Sequence, residues 1–198
     1  MIKRTLLALC AVAVIADAKP LAAGESIPAG PLKTVDGESF DLTAAAREQR
    51  LAVIYYRGGW CPYCNTHLAQ LQEAEPELRA LGYRILAISP DQPSKMKESL
   101  EKGAMTYTLL SDSSMDAAKA FGIAFEVDAA TIKKYEGYGI DLEAASGEAH
   151  HLLPVPSVFL VGTDGVIDFA YSNPDYKVRL EPAALLAAAK AAVEADTP

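Results

Sequence analysis

Leu51-Ala52-Val53-Ile54-Tyr55-Tyr56 is an unbroken apolar run. Its length and its β-branched and aromatic content predict a strand buried on both faces of a sheet. Behind it, Leu68, Leu71, Leu78 and Leu81 recur at helical spacing as far as Gly82. Pro76 lies inside that stretch and is expected to kink or divide the helix. The alternation then repeats. Tyr83 to Ser89 reads as a second buried strand, and Pro93 to Lys102 as a helix with proline in its first turn. Tyr107 to Leu110 reads as a third strand, and Ser114 to Phe121 as a helix stopped by Gly122. Thr131 to Tyr138 reads as a short helix among the loop signals Gly137, Gly139, Ser146 and Gly147. Ser157 to Val161 and Val166 to Tyr171, joined across Thr163-Asp164-Gly165, predict a hairpin. Glu181 to Ala195 is a closing helix with Pro182 in its first turn. Upstream, Val35-Asp36-Gly37-Glu38 is a turn signal between two short strands within Leu32 to Leu42. This order predicts an α/β fold: a mostly parallel sheet with an antiparallel edge, covered by helices on both faces. No internal repeat interrupts it.

The N-terminus follows another logic. Met1-Ile2-Lys3-Arg4 is basic, the run Thr5 to Ala16 is uncharged, and Ala16-Asp17-Ala18 is a small-x-small triplet. These are the three parts of a secretory signal peptide, so residues 1–18 are expected to be removed and the mature chain exported to the periplasm or beyond. Leu9 precedes Cys10, where a lipoprotein signal needs a small residue, so lipid anchoring is not expected. Residues 19–30, rich in Ala, Gly and Pro, read as a flexible arm, and 31–198 as one domain. The 198 residues carry 18 basic and 26 acidic side chains, a net charge of −8. Such an acidic surface excludes a duplex nucleic-acid binder, which needs a basic face. No apolar run approaches the roughly 20 residues of a membrane span.

With the leader gone, two of the three cysteines remain, Cys61 and Cys64, in the segment Trp60-Cys61-Pro62-Tyr63-Cys64. The segment joins a buried strand to a helix. The first cysteine therefore caps a helix N-terminus, where free N–H groups and the dipole favour a thiolate. The second lies one turn on, within reach of a disulfide. Thiol–disulfide exchange needs that pair: an attacking thiolate and a thiol to resolve the mixed disulfide. Pro62 fixes φ and gives up an N–H that a helix start does not use. A zinc site built from Cys61, Cys64, His67 and His150 or His151 is the competing reading, but no second cysteine pair completes it. No metal or organic cofactor is expected. Arg57, four residues before Cys61, either lowers the thiol pKa or recognises a carboxylate, or else is a solvated strand-end charge. Trp60 flanks the dithiol as a contact surface. His150 and His151 read as loop residues, and Tyr135 and Tyr138 as packing residues of an insertion.

Four segments give the chain a family resemblance: Tyr56 to Cys64, Leu110-Ser111-Asp112, Ala120-Phe121-Gly122-Ile123, and Val155-Pro156-Ser157-Val158-Phe159-Leu160-Val161. With them it resembles the thioredoxin-like superfamily, and within it the alkyl hydroperoxide reductase/thiol-specific antioxidant, peroxiredoxin-like branch. The resemblance runs from about Ile27 to Ala195. It implies a thioredoxin-like fold, a central mixed sheet flanked by helices with an N-terminal β-hairpin extension. It also implies that Pro156 is a cis proline facing the dithiol and shaping a substrate groove with Arg57, Trp60, Pro62 and Tyr63. Peroxiredoxins share a Pro-x-x-x-Thr/Ser-x-x-Cys segment whose hydroxyl, with an arginine, orients the peroxide. Here Ile54 stands for the proline, Gly58 for the hydroxyl residue and Pro156 for the arginine. Tyr55 stands where thioredoxins place a buried acid, which leaves the proton acceptor for Cys64 unassigned.

The missing peroxide-orienting groups favour an exported thiol–disulfide oxidoreductase, with antioxidant activity, acting on protein or small-molecule thiols and disulfides. Cys61 is its nucleophile and Cys64 its resolving thiol. The alternatives are a thiol-dependent peroxidase reducing hydroperoxides through a Cys61 sulfenic acid, and a copper or zinc metallochaperone.

Overall fold

The computed structural model describes residues 19–102 and 107–196; the leader expected at 1–18 lies outside the described residues. A seven-stranded mixed sheet runs through the centre. Its strands are β1 (Leu32–Thr34), β2 (Ser39–Phe40), β3 (Arg50–Tyr55), β4 (Tyr83–Ser89), β5 (Thr108–Ser111), β8 (Ser157–Val161) and β9 (Ile167–Ser172). They lie in the order β2-β1-β5-β4-β3-β8-β9. β3, β4 and β5 are parallel neighbours, and the strands at both edges pair antiparallel.

Alternation along the strands assigns each residue a face. Ala52 and Ile54 of β3 point to one side, with Ile85 and Ala87 of β4. There they pack on α2 (Pro62–Ala80) through Leu68, Leu71 and Leu78, and on α7 (Pro182–Ala195) through Leu185 and Ala189. Leu51, Val53 and Tyr55 point to the other side. There they pack with Leu42 and Ala46 of α1 (Leu42–Glu48), with Ala117 and Ala118 of α4 (Asp116–Ala120), and with Phe121. The sheet is thus covered on both faces, as its apolar runs require.

The strands Tyr83–Ser89 and Ser157–Val161 and the helix α3 (Pro93–Lys102) lie where the pattern puts them. Two expectations are corrected, and one helix that the sequence pattern did not show is added. α2 runs unbroken through Pro76 for 19 residues. The helix is not divided there, and Leu71 and Ala74 before the proline and Leu78 after it are all buried in the same core cluster. Residues 19–30, expected as a flexible arm, are tied down: Leu21 N–H donates to Phe121 O, Gly24 N–H to Ile167 O and Ile27 N–H to Gly165 O. The Ile27 side chain is buried in the core. Finally, α1 follows the hairpin at once, because Asp41 accepts hydrogen bonds from the Thr43 and Ala44 N–H groups and so caps a helix.

An insertion leaves the sheet after Phe121. It contains α5 (Ala129–Gly137), α6 (Leu142–Ser146) and a two-stranded ribbon of β6 (Ala124–Glu126) with β7 (Leu152–Pro154). Gln92, beyond the end of β4, fastens it: its N–H donates to Ala145 O at 2.8 Å and its side chain to Ala144 O at 3.0 Å. The insertion thereby closes over the C-terminal ends of β3 and β4, where a parallel sheet places its ligands.

Candidate active site

The chain leaves β3 at Tyr55, turns through Gly58 and Gly59, and enters α2 with Cys61 as N-cap and Pro62 in the first turn. Gly58 takes φ 144, a conformation that favours glycine. The turn is held from outside: Oδ2 of Asp91, just beyond β4, accepts the Gly59 N–H at 2.7 Å. Both thiols are buried, Cys61 at 1% and Cys64 at 0% exposure. Both are free cysteines, and they interact: the Cys64 thiol donates to the Cys61 sulfur.

That donation is the largest influence lowering the Cys61 pKa. The Cys64 backbone N–H and the positive charges of Arg57 and Arg179 act in the same direction, against burial. Cys64 is pushed the other way, because its proton is held by Cys61 and because it is buried. One thiol of the pair is therefore the thiolate and the other its proton-bearing partner. This is the division of labour a dithiol needs.

Arg57 is not a solvated strand-end charge. It is 3% exposed, and its guanidinium is enclosed by three rings: Tyr176 at 4.2 Å, Trp60 at 5.1 Å and Tyr135 at 5.5 Å. It also donates to the Tyr135 hydroxyl. Tyr135, read from sequence as a packing residue of the insertion, thus belongs to the site. Tyr63 is 45% exposed and meets Tyr176 edge-on at 5.6 Å. Pro62 is exposed beside it.

Arg179 was not singled out in the sequence. It comes from the loop between β9 and α7, and its Nη2 donates to Cys64 Sγ at 3.4 Å. An arginine does stand at the dithiol, then, but it arrives from a later loop and not from position 156. Pro156 is buried between β7 and β8, with its carbonyl accepting from Asn173 N–H at 3.3 Å. The cis bond expected there is absent; every described peptide bond is trans. Val155 N–H is bonded to Ile123 O, and Ser157 already pairs in β8, so the chain passes Pro156 extended.

Tyr55 does not serve the dithiol: its ring faces the opposite side of the sheet and packs on Phe121 at 5.3 Å. The buried acid at the site is Asp91, raised to about 6 by burial. Asp112, raised to about 7 by burial, accepts from the Ala117 and Ala118 N–H groups and caps α4. His67 is buried, faces Leu180 O at 3.1 Å, and is lowered by burial to about 4. His150 accepts from Leu152 N–H through Nδ1, and His151 pairs with Glu143. Among the described residues no three His, Cys, Asp or Glu side chains gather as metal ligands.

Known proteins resemble this chain in sequence and in fold. Peroxiredoxin Bcp of Escherichia coli is 35% identical over 104 residues, a stretch that spans 52% of this chain and 66% of that relative's length. The crystal structure of peroxidoxin BcpB from Mycobacterium tuberculosis superposes with a TM-score of 0.68 at 17% identity, over 90% of this chain and 99% of that one. Reduced Prx3 of Vibrio vulnificus, solved in complex with hydrogen peroxide, gives 0.69 at 17% identity, over 85% and 99%. The fold is thioredoxin-like, as the family resemblance implies. The family profile itself extends over residues 23–170, taking in the tethered N-terminal segment, the cysteine-capped helix and the hairpin that follows Pro156; on that match the chain belongs to the AhpC/TSA family.

Proposed function

We propose that this chain is a thiol-dependent peroxidase in which Cys61 attacks a hydroperoxide and Cys64 resolves the product. The burial of both sulfurs carries this reading. At 1% and 0% exposure the dithiol stands out of reach of a bulky protein disulfide, whereas a hydroperoxide needs only a narrow path. The names of the relatives agree with it. The cycle is simple. The Cys61 thiolate takes an oxygen from the hydroperoxide and becomes a sulfenic acid, and an alcohol or water leaves. The Cys64 thiol, already in hydrogen-bond contact, displaces water and closes the Cys61–Cys64 disulfide. A small-molecule dithiol, able to follow the same narrow path, then reduces it. Arg57 and Arg179 hold negative charge at the sulfurs through these steps. This reading replaces disulfide exchange with proteins as the primary activity; exchange remains as the reductive half of the cycle.

The basic start and Ala16-Asp17-Ala18 support export as part of the same proposal, placing the peroxidase outside the cytoplasm. The test is to mix the reduced protein with hydrogen peroxide and with glutathione disulfide in a stopped-flow instrument. Trp60, the only tryptophan, adjoins Cys61 and supplies the fluorescence signal. Peroxide is expected to react faster. A faster reaction with the disulfide would return the protein to the exchange class.

A further inference from the structure

Arg179 is half-buried, and among the described residues it pairs with no carboxylate. Its Nη2 donates to Cys64 Sγ at 3.4 Å, and its Nε has no hydrogen-bond partner. The guanidinium is always charged, whereas the thiol it touches is neutral in the reduced protein, where Cys61 holds its proton. The arginine is therefore complementary to a charge that Cys64 acquires only as it reacts. Of the influences that lower the Cys61 pKa, Arg179 comes after Cys64 and Arg57; on Cys64 it is the largest that favours the thiolate. The loop between β9 and α7 carries Arg179, and the next residue fastens it. The Leu180 side chain is buried against α2 and α7, and its carbonyl oxygen faces Nε2 of His67 at 3.1 Å. A carbonyl only accepts, so His67 carries its proton on Nε2 and donates. His67 is buried one turn beyond Cys64 on α2, and burial, then the Arg179 charge, keeps its ring neutral. One stretch of helix thus holds both the sulfur that Arg179 touches and the donor that ties down its neighbour in the chain.

We propose that Arg179 is a catalytic residue of the resolving step, activating Cys64, and that His67 is the positioning residue that holds it there. This rests on the peroxidase reading above. In the reduced protein the Arg179 N–H, the Cys64 thiol and the Cys61 thiolate form a chain of hydrogen bonds, each polarising the next. Oxidation breaks the chain. The sulfenic sulfur carries no charge, so the strongest hold on the Cys64 proton is lost while Arg179 stays. The Cys64 sulfur then attacks the Cys61 sulfur; the S–S bond forms and the S–O bond breaks. The Cys64 proton leaves with the hydroxyl as water. The Cys64 sulfur is oxidised and the sulfenic sulfur reduced. Arg179 meets the negative charge that grows on Cys64 as its proton departs. The resolving thiol is thereby held inactive until its partner has been oxidised.

The test is rapid mixing of the reduced protein with hydrogen peroxide, quenching and mass spectrometry, which count sulfenic acid and disulfide separately. Sulfenic acid formation depends on peroxide concentration, and disulfide closure does not. At a pH where Cys61 is fully ionised, Arg179→Gln is expected to slow closure by a factor of about 10 to 100, the loss that follows from one hydrogen bond to a charged group, and to leave the peroxide-dependent step nearly unchanged. His67→Leu is expected to slow the same step, with His67→Ala in its place should the leucine variant not fold. His67→Gln, whose amide keeps a donor for Leu180 O, is expected to restore it. The double variant is expected to be no slower than Arg179→Gln alone. Closure at the wild-type rate in Arg179→Gln, or equal slowing of both steps, would overturn the role of Arg179. Closure at the wild-type rate without the His67 donor, or further slowing in the double variant, would overturn that of His67. A wild-type protein inert to hydrogen peroxide would instead overturn the peroxidase reading. The contact itself is tested without peroxide: in a Cys61→Ser background, Arg179→Gln is expected to raise the Cys64 pKa by about one to two units in iodoacetamide alkylation. An unchanged pKa there would overturn the assignment of Arg179 to Cys64.

Discussion

Replacing Cys64 separates the hydrogen bond it gives from the disulfide it forms. Neither Cys64→Ser nor Cys64→Ala can close the disulfide, but serine keeps a hydroxyl donor one turn from Cys61, and alanine has none. In the reduced protein the Cys64 thiol is the largest influence lowering the Cys61 pKa, ahead of the Cys64 backbone N–H and of both arginines. A hydrogen bond to a charged group contributes about 1.5–3 kcal/mol. At about 1.4 kcal/mol per pKa unit, its loss corresponds to about one to two units. Cys61 in Cys64→Ala is therefore expected to titrate about one to two units higher than in Cys64→Ser. The backbone N–H and the arginines remain in both variants, so the difference isolates the side-chain donor. The assay is the rate of iodoacetamide alkylation against pH, followed by mass spectrometry of the peptide carrying Cys61. Equal midpoints in the two variants would refute the assignment and leave the arginines as the source of the lowered pKa.

Two further outcomes follow from the surroundings of the dithiol. Arg57→Met keeps most of the buried volume but gives up three ring contacts at 4.2, 5.1 and 5.5 Å; at about 0.5–2 kcal/mol each, a loss of about 1.5–6 kcal/mol is expected in urea unfolding, and a loss under about 0.5 kcal/mol would show that the rings do not hold the guanidinium. His67, lowered from 6.5 to about 4 by burial, is neutral in the folded protein and charged when unfolded over that window, so stability falls as pH drops from 6.5 toward 4. Relative to a His67→Gln variant, which has no titration, the wild type is expected to lose about 3 kcal/mol between pH 7.5 and 4; a constant difference across that range would mean that His67 titrates normally.

The sheet and its long helices were legible because their apolar positions repeat with a single period. Tyr83–Ser89 and Ser157–Val161 read directly from such runs. The cysteine pair was legible for a different reason: Trp60-Cys61-Pro62-Tyr63-Cys64 is contiguous, so the chemistry lies within one turn of chain. Contacts between distant segments were not legible. Arg179 reaches Cys64 across 115 positions, Tyr135 reaches Arg57 across 78, and Asp91 reaches Gly59 across 32. Nothing in the local pattern of Val178-Arg179-Leu180 distinguishes that arginine from a surface charge. Proline misled twice for one reason. At Pro76 the packing of α2 on the sheet overrides the local cost, and at Pro156 strand pairing on either side fixes an extended path. Short amphipathic elements such as α1 and the β6–β7 ribbon carry too few residues to show a period.

Gly58 and the Trp60 indole share one volume, and this ties two positions together in the history of the sequence. A threonine or serine at position 58 cannot coexist with the present Trp60: its Cβ would fall onto an indole held in place by Arg57 and Tyr135, at a φ of 144 that side chains avoid. Reinstating the hydroxyl that the family resemblance calls for is therefore not a single step. Either the tryptophan leaves first and exposes Arg57, or the hydroxyl arrives first and finds no room. The two solutions are separated by a steric barrier that only a paired exchange crosses.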